Sequence, residues 1–565
     1  MALSGQFNLD DLLSLYSFPT LGGHPFDIDP SGRHLVFALP KPTGEATRHF
    51  ASTIGGCEAD LCVIELATRK LKKIPLPVGC GAMSPCWSPD GTMVAVALTD
   101  GSFVRPAVIE VSTGLARILS DRNVCIESPR GVFAWNGPTK ILCELLPEGV
   151  LPTWMDIDLR AARFMVAVWQ RAWDGQQATA SRLGDDSPAI GPPLITYVEI
   201  DTVTGKAESF TEQDGLSAAI ESLANRPMIE YPPRCVGLGS KAPPESILVA
   251  SSKSSSIGIY LARSSDGTRL WHIDNDGGQV VFETDTHLAA LAPPNVQRLP
   301  FQIMDGQTAH VRCLLPHDHQ PGEARPTIVW VYPGYETSFD YLHHLDARND
   351  PSPLNLHPLV SEGFIVLIPD MPTDSEVGGR RELSEELLGA VVPAIEAAVT
   401  AGFADRQQLH VAGHSLGGWA ALHLVAQTDL FKSAIAAAAP TNLISEFGIS
   451  DVRFRHGEYV DADGLASMSR IFGLSRPPWE ILERYVRNSP VFSAVDIEAP
   501  VMLIHGDQDY VSITQAEEMF TALRTLGKPV EFVRYWGEGH VFESPANVKD
   551  MWTRVYAWIR QHSFR

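Results

Sequence analysis

The chain has 565 residues, 44% of them hydrophobic and 20% charged, which excludes collagen-like, disordered and coiled-coil sequences and leaves room for two or three domains with cores of their own. Its 44 basic and 67 acidic residues give a formal net charge of -23, a field that repels phosphate backbones and anionic lipid heads, so nucleic acid is not an expected partner. No run approaches the roughly 18 apolar residues of a membrane span, and the first Lys or Arg is Arg33, unlike the basic start of a secretory leader; the expected compartment is the cytoplasm, or the periplasm where a leader has been removed.

Two units recur in the first half. One is an aromatic residue, a polar turn with Pro or Gly, and an apolar strand: Phe26 to Phe37, Trp87 to Ala97, and a weaker copy from Trp135 to Leu142. The other is strand, turn, strand, at Val63–Leu71, Val108–Ala116 and Val198–Lys206. Thr68, Thr113 and Thr204 mark its turns at spacings of 45 and 91 residues, one period and about two. A period near 45 with this content predicts propeller blades rather than a sandwich, and residues 1–295 would hold six, or seven if the blades are short. Between the repeats, Phe164–Ser181 reads as a strand or amphipathic turn, with Trp169 and Trp173 expected in core packing. Ser251–Ser256 reads as a solvated loop.

The rhythm changes near Ala292-Pro-Pro-Asn295, and the domain boundary is drawn there, with residues 296–565 as the second domain. Apolar strands at Thr327–Tyr332, Phe364–Pro369, Leu409–Gly413 and Val501–His505 alternate with helical stretches such as Leu383–Val392 and Gln515–Leu526. That alternation predicts an α/β sheet covered on both faces. The eight cysteines, Cys57, Cys62, Cys80, Cys86, Cys125, Cys143, Cys235 and Cys313, are an even count that permits disulfides, and Cys57/Cys62 or Cys80/Cys86 could close small loops. Gaps of four, seventeen and five residues do not make a zinc pattern, so buried free thiols are expected and no metal.

Gly413-His-Ser-Leu-Gly417 is a G-x-S-x-G motif between a predicted strand and an Ala/Leu-rich helix, the setting of an α/β-hydrolase nucleophile elbow. Ser415 is then the nucleophile, on a turn too cramped for side chains at the flanking glycines. The acid and base should follow in that order. Asp509 lies past the strand Val501–His505, and His540 lies past Pro529–Arg534, both at carboxyl ends of strands. Asp507 competes with Asp509 but sits one step less far into the loop; His505 and His414 are expected to pack or hydrogen-bond locally. Ser415 would attack an acyl carbon while His540 takes its proton and Asp509 holds the imidazole. The oxyanion needs two donors: the Leu416 N–H, and one from Val331–Tyr335, where the Tyr332 hydroxyl stands beside the alternative of a buried structural tyrosine. With no Walker loop, no H-E-x-x-H and no strand-linked G-x-G-x-x-G, no cofactor is expected.

Taken together, Asp305-Gly306, Tyr332-Pro-Gly334, Gly413–Gly418, Phe431–Pro440, Asn488-Ser-Pro490, His505–Asp509 and Gly539-His540 make the chain resemble the prolyl oligopeptidase family of serine peptidases over nearly its full length. The resemblance implies an N-terminal β-propeller and a C-terminal α/β-hydrolase domain, the triad Ser415, Asp509 and His540, and Tyr332 completing the oxyanion hole. It also implies Trp419 as an aromatic lining the primary specificity pocket. The chain departs from the family where an Arg often follows the triad acid, since Tyr510, Val511 and Ser512 stand there, and where Pro369-Asp-Met-Pro372 replaces an Asn-x-Arg-Gly-like turn; the paired Glu of dipeptidyl aminopeptidases is also missing. More narrowly, Trp169–Gly175 with Ala178–Ser181, and Asp507–Ile513, resemble the bacterial lasso-peptide isopeptidases. Those open a macrolactam between a peptide's N-terminal amine and an Asp or Glu side chain. The expected partner is therefore a small peptide, in the narrow reading a threaded lasso peptide. The other readings are a general oligopeptidase or acylaminoacyl peptidase on linear peptides, an esterase, and a non-catalytic propeller that binds partners.

Overall fold

The structure, a computed structural model, describes residues 5–18, 25–46, 58–126, 131–152, 155, 169–170, 172–176, 178, 196–210, 242–244, 246–252, 257–303, 306–336, 348–373, 382–449 and 465–563. A short helix, α1 (Leu9–Leu13), comes first, started by a capping box in which Asn8 accepts from the Asp10 and Asp11 amides and Asp11 accepts from the Asn8 amide. Among the described residues, four antiparallel four-stranded meanders follow. They are β1–β4 (Phe26–Ile28, His34–Leu39, Asp60–Glu65, Lys70–Ile74), β5–β8 (Gly81–Trp87, Met93–Thr99, Val104–Glu110, Ala116–Ile118), β9–β12 (Phe133–Trp135, Lys140–Leu145, Thr196–Asp201, Ala207–Phe210) and β13–β16 (Ile247–Ser251, Gly258–Ser264, Gly267–Ile273, Gly278–Thr284).

Each sequence repeat is one hairpin of a blade. The aromatic unit is the first hairpin, where Phe26 pairs with Phe37 and the Asp29 carboxylate caps the turn by accepting from the Arg33 and His34 amides. Gly32, Gly91 and Gly137 occupy equivalent turns at φ of 71°, 71° and 77°, a backbone that disfavours any other residue. The strand–turn–strand unit is the outer hairpin, β3–β4, β7–β8 and β11–β12. Inner strands are apolar on both faces because each lies between two blades. On β2, Leu35, Phe37 and Leu39 pack with Ile259, Leu261 and Leu270 of the fourth described blade, while Val36 packs with Trp87, Val94 and Val96 of the second. The fourth blade thus seats against the first, and the N-terminal domain is a β-propeller.

The second sheet has eight strands: β17 (Asn295–Gln302), β18 (Thr308–Leu315), β19 (Thr327–Trp330), β20 (Ile365–Pro369), β21 (Leu409–His414), β22 (Ala434–Ala437), β23 (Val501–Gly506) and β24 (Val530–Tyr535). Their order is β17-β18-β20-β19-β21-β22-β23-β24, parallel from β20 onward. Alternation divides each central strand between two cores. Val329, Leu367, Val411 and Leu503 pack beneath α2 (Leu383–Thr400), α3 (Leu416–Gln427) and α4 (Thr514–Thr525). Ile328, Val366, Ala412 and Ile504 pack against α5 (Pro545–Ser563) on the other face. This is the α/β-hydrolase arrangement. Helix α2 runs past Val392, where the sequence reading stopped, and through Pro393; buried Ala394, Ile395 and Ala398 hold it to the core beyond the missing amide.

Two joints tie the domains. Buried Arg348 donates to the backbone carbonyls of Ser265 and Leu288 in the propeller and of Ala292 in the connection, Asn349 donates to Thr268, and Asp350 lies 3.8 Å from Arg263. Helix α1 crosses the other way: Leu13 joins Trp330, Tyr335 and Trp552 in the hydrolase core, Asp10 pairs with Lys549, and Leu12 and Leu15 pack with Leu288.

Trp169 and Trp173 are 58% and 89% exposed, which corrects their expected core position; Arg171 and Thr179–Ser181 lie outside the described residues, as do Cys57, Cys235 and Lys253–Ser256. Cys62, Cys143 and Cys313 are buried free thiols, and burial pushes each up to about 12. Among the described residues no helix is long and apolar enough to cross a membrane.

Candidate active site

Ser415 sits between β21 and α3 with φ 57° and ψ -123°, a strained conformation for a residue with a side chain. Its neighbours must be small. A Cβ on Gly413 would lie 2.3 Å from the Gly417 carbonyl group, one on Gly417 would lie 2.2 Å from the Val331 carbonyl oxygen, and one on Gly418 would lie 2.9 Å from the Ala437 carbonyl oxygen. The glycines therefore let helix α3 start directly on top of β19, β21 and β22, with the Ser415 amide bonded to the Ala437 carbonyl at 2.8 Å. Leu416 is the first residue of α3, so its N–H is among those that an α-helix leaves without an internal partner.

Asp509 and His540 come from two loops sewn together by backbone. The Asp507 amide donates to the Tyr535 carbonyl at 3.0 Å and the Gln508 amide to the Glu538 carbonyl at 2.9 Å. Gly506 makes this close approach possible, since a Cβ there would meet the Glu538 carbonyl oxygen at 2.3 Å. His540 donates from Nδ1 to Asp509 at 2.8 Å (Oδ1) and 3.0 Å (Oδ2), which leaves Nε2 as the basic ring nitrogen. The Asp509 carboxylate also accepts from the Val511 amide at 2.8 Å and lies 3.2 Å from His505 Nε2. Burial alone would raise its pKa; the imidazoles of His540 and His505 outweigh that and hold it well below the usual carboxylate range. For His505, burial pulls the pKa down but the Asp509 carboxylate outweighs it and the net direction is up. Asp507 turns elsewhere, accepting from the Gly537 amide at 2.6 Å and the Gln508 side chain at 2.8 Å.

The Tyr332 side chain hydrogen-bonds Ser415; burial raises the phenol's pKa and that bond works against the rise. Its position at the end of β19 is set by a turn in which the Gly334 amide bonds the Met371 carbonyl at 2.7 Å and Gly334 adopts φ 84°. Four of the expected residues, Ser415, Leu416, Asp509 and His540, thus lie at carboxyl ends of parallel strands, and Tyr332 touches the serine. Such a set can move a proton from a hydroxyl to an imidazole and offer two donors to a developing oxyanion. Among the described residues, no group of three or more His, Cys, Asp and Glu is arranged to hold a metal ion.

Trp419, expected on a pocket wall, is instead wholly buried. Its Nε1–H donates to the Asn488 carbonyl at 2.7 Å, and its ring packs on His423 and Phe472 at 4.5 and 5.4 Å, so it anchors α3 in the core. His505 bonds locally, to the Val511 carbonyl at 2.8 Å, as expected. His414 does not: its Nε2 reaches the His540 carbonyl at 2.6 Å. Two further residues shape the site. Tyr510 packs on the His540 ring in a tilted arrangement at 4.2 Å, and buried Glu538 accepts from the Glu543 and Ser544 amides and the Asn547 side chain, fixing the loop into α5. A polar residue inside Trp536–His540 carries no mark in the sequence that separates Glu538 from a solvated loop acid.

Residues 351–564 match the model of the prolyl oligopeptidase family. Among curated proteins the chain is similar to the uncharacterized peptidase YuxL of Bacillus subtilis, 28% identical over 162 residues that are 28% of this chain and 23% of that protein. It is also similar to the lasso peptide isopeptidase AtxE2 of Asticcacaulis excentricus, 21% identical over 308 residues, 52% of this chain and 41% of that protein. The first of these matches spans about a quarter of the relative's length. Among solved structures, an acylaminoacyl peptidase of Pyrococcus horikoshii has a TM-score of 0.65 at 14% identity, with 99% of this chain and 98% of that chain covered. Apo AtxE2 has a TM-score of 0.64 at 16% identity, covering 99% and 96%. Both share the two-domain fold from end to end. Over residues 351–564 the chain is thus similar to the prolyl oligopeptidase family.

Proposed function

We propose that the chain is a serine hydrolase that cleaves an amide bond in a small peptide through an acyl-enzyme. The observation that carries this reading is the 2.8 Å bond from His540 Nδ1 to buried Asp509, beside a serine on a positive-φ elbow. Ser415 Oγ attacks the carbonyl carbon and gives its proton to His540 Nε2. Asp509 stabilises the imidazolium, and the oxyanion lies between the Leu416 N–H and the Tyr332 hydroxyl. Collapse of the intermediate breaks the C–N bond, and the leaving amine takes the proton from His540. Water then repeats the sequence on the ester, releasing the carboxylic acid and restoring Ser415.

Within that chemistry the substrate proposed is the macrolactam of a lasso peptide, whose acyl carbon belongs to an Asp or Glu side chain and whose leaving group is an N-terminal amine. Support comes from the similarity to AtxE2 over 52% of the chain, and from Tyr510 standing after the acid where a carbonyl-gripping Arg is common in the family. AtxE2 has itself been solved with astexin-3-dC4 bound. The fold is equally near an acylaminoacyl peptidase, which favours linear peptides as the second reading.

Mass spectrometry of a threaded lasso peptide incubated with the protein, beside a panel of linear peptides, separates the two. The expected result is a gain of one water on the lasso peptide, with a freed N-terminus and an intact backbone, and none with Ser415→Ala. Cleavage of linear peptides alone would move the assignment to the oligopeptidase reading, and turnover by folded Ser415→Ala would remove the serine mechanism.

A further inference from the structure

The proton acceptor of the proposed reaction lies on the loop between β24 and α5, far in sequence from the nucleophile, and a base displaced by about 1 Å loses on the order of a hundredfold in rate. One contact joins the two directly. His414, the residue covalently preceding Ser415, sends its Nε2–H to the backbone carbonyl of His540 at 2.6 Å, across 126 residues of sequence. Because a carbonyl oxygen only accepts, Nε2 of His414 carries the proton. The His414 ring also meets the His540 ring edge-on, with centroids 4.6 Å apart and planes at 63°. Tyr510 covers His540 with its own ring at 4.2 Å and 34°. Asp509 fixes Nδ1. Asp509 therefore sets which nitrogen of His540 is basic, whereas His414 sets where the residue stands relative to the serine.

We propose that His414 is a positioning residue of this site: its Nε2–H and ring edge hold His540 in register with Ser415, so that the nucleophile and its base are registered through two adjacent residues. The proposal rests on the serine-hydrolase reading above. His414 is suited to the role because it is buried, and burial, with the neighbouring His540 adding to it, pulls its pKa down to about 3; it stays neutral and does not compete for the serine proton. A glutamine at 414 can extend a donor toward the same carbonyl, an asparagine falls short, and a phenylalanine keeps a ring edge without the donor.

The test reads Ser415 reactivity without needing the natural substrate. The full chain is treated with an excess fluorophosphonate probe, and the second-order labelling rate is measured by intact mass, normalised to the folded fraction, alongside thermal melts. His414→Phe and His414→Asn are expected to label about 10- to 100-fold more slowly, and His414→Gln to recover to within about threefold of wild type. The melting temperatures should not follow that order. If His414→Phe fails to fold, the Asn and Gln pair carries the same comparison. Wild-type labelling rates in His414→Asn, or equal losses in Asn and Gln that track their melting temperatures, would overturn the positioning role. Folded wild-type protein that takes up no probe would instead count against the triad itself.

Discussion

The Tyr332 phenol is held beside Ser415 by a hydrogen bond and by a turn at the end of β19, while burial raises its pKa and keeps it a donor across the neutral range. If that hydroxyl binds the oxyanion, Tyr332→Phe should lower kcat by about two to three orders of magnitude with little change in KM or in melting temperature. Steady-state kinetics on any substrate that turns over checks this, and an unchanged kcat would return Tyr332 to a packing role. Ser415, Asp509 and His540 were legible because the elbow motif and the chain order of its partners are local signals tied to strand ends. Trp419 was placed on a pocket wall by family resemblance alone, and an aromatic one turn into α3 has the same sequence signature whether it faces a pocket or the core. His414 was legible only as a neighbour of the serine, since its partner is a backbone carbonyl that no sequence pattern marks.

An elbow works only if helix α3 can begin against three strands at once. Gly417 provides the contact with β19, where any Cβ would lie 2.2 Å from the Val331 carbonyl oxygen and 3.3 Å from the Tyr332 ring. Gly417→Ala should destabilise the protein by about 1–3 kcal/mol or more, and should slow fluorophosphonate labelling beyond what the folded fraction explains, because relief of the clash moves Tyr332 as well. Normal labelling by a well-folded Ala variant would contradict the close approach. Among the elements, the propeller hairpins were readable from their turns, where a short polar stretch containing Pro and Gly follows an aromatic and leads into an apolar strand. Helix α2 was readable only as far as Val392: local propensity ends a helix at proline, and the burial of Ala394, Ile395 and Ala398 that overrides it is a tertiary effect.

Among the described residues, the three imidazoles that burial pulls down furthest set an acid limit. Burial, the leading cause for each, pulls His410 and His423 down to about 4 and His414 to about 3. An unfolded histidine binds its proton near pH 6.5. Between there and about pH 4 the unfolded chain takes up protons that these folded sites refuse, so stability falls as pH drops through that window. His505, with its pKa raised, acts in the opposite direction, and the depressed Asp509 adds its loss from the range where unfolded carboxylates titrate downward. Scanning calorimetry at constant ionic strength should show the melting temperature declining from pH 7 to pH 4.5; a flat profile would contradict neutral burial of the three. One joint between the domains also has a consequence for biogenesis. Helix α1 packs Leu13 against Trp330, Tyr335 and Trp552 and pairs Asp10 with Lys549, so the last of its hydrolase partners, Lys549 and Trp552, are synthesised only after more than 530 further residues. At the usual pace of translation that interval is on the order of half a minute or more. The blades can gather as they emerge, but helix α1 reaches its seat beside Lys549 and Trp552 only after the rest of both domains has been made.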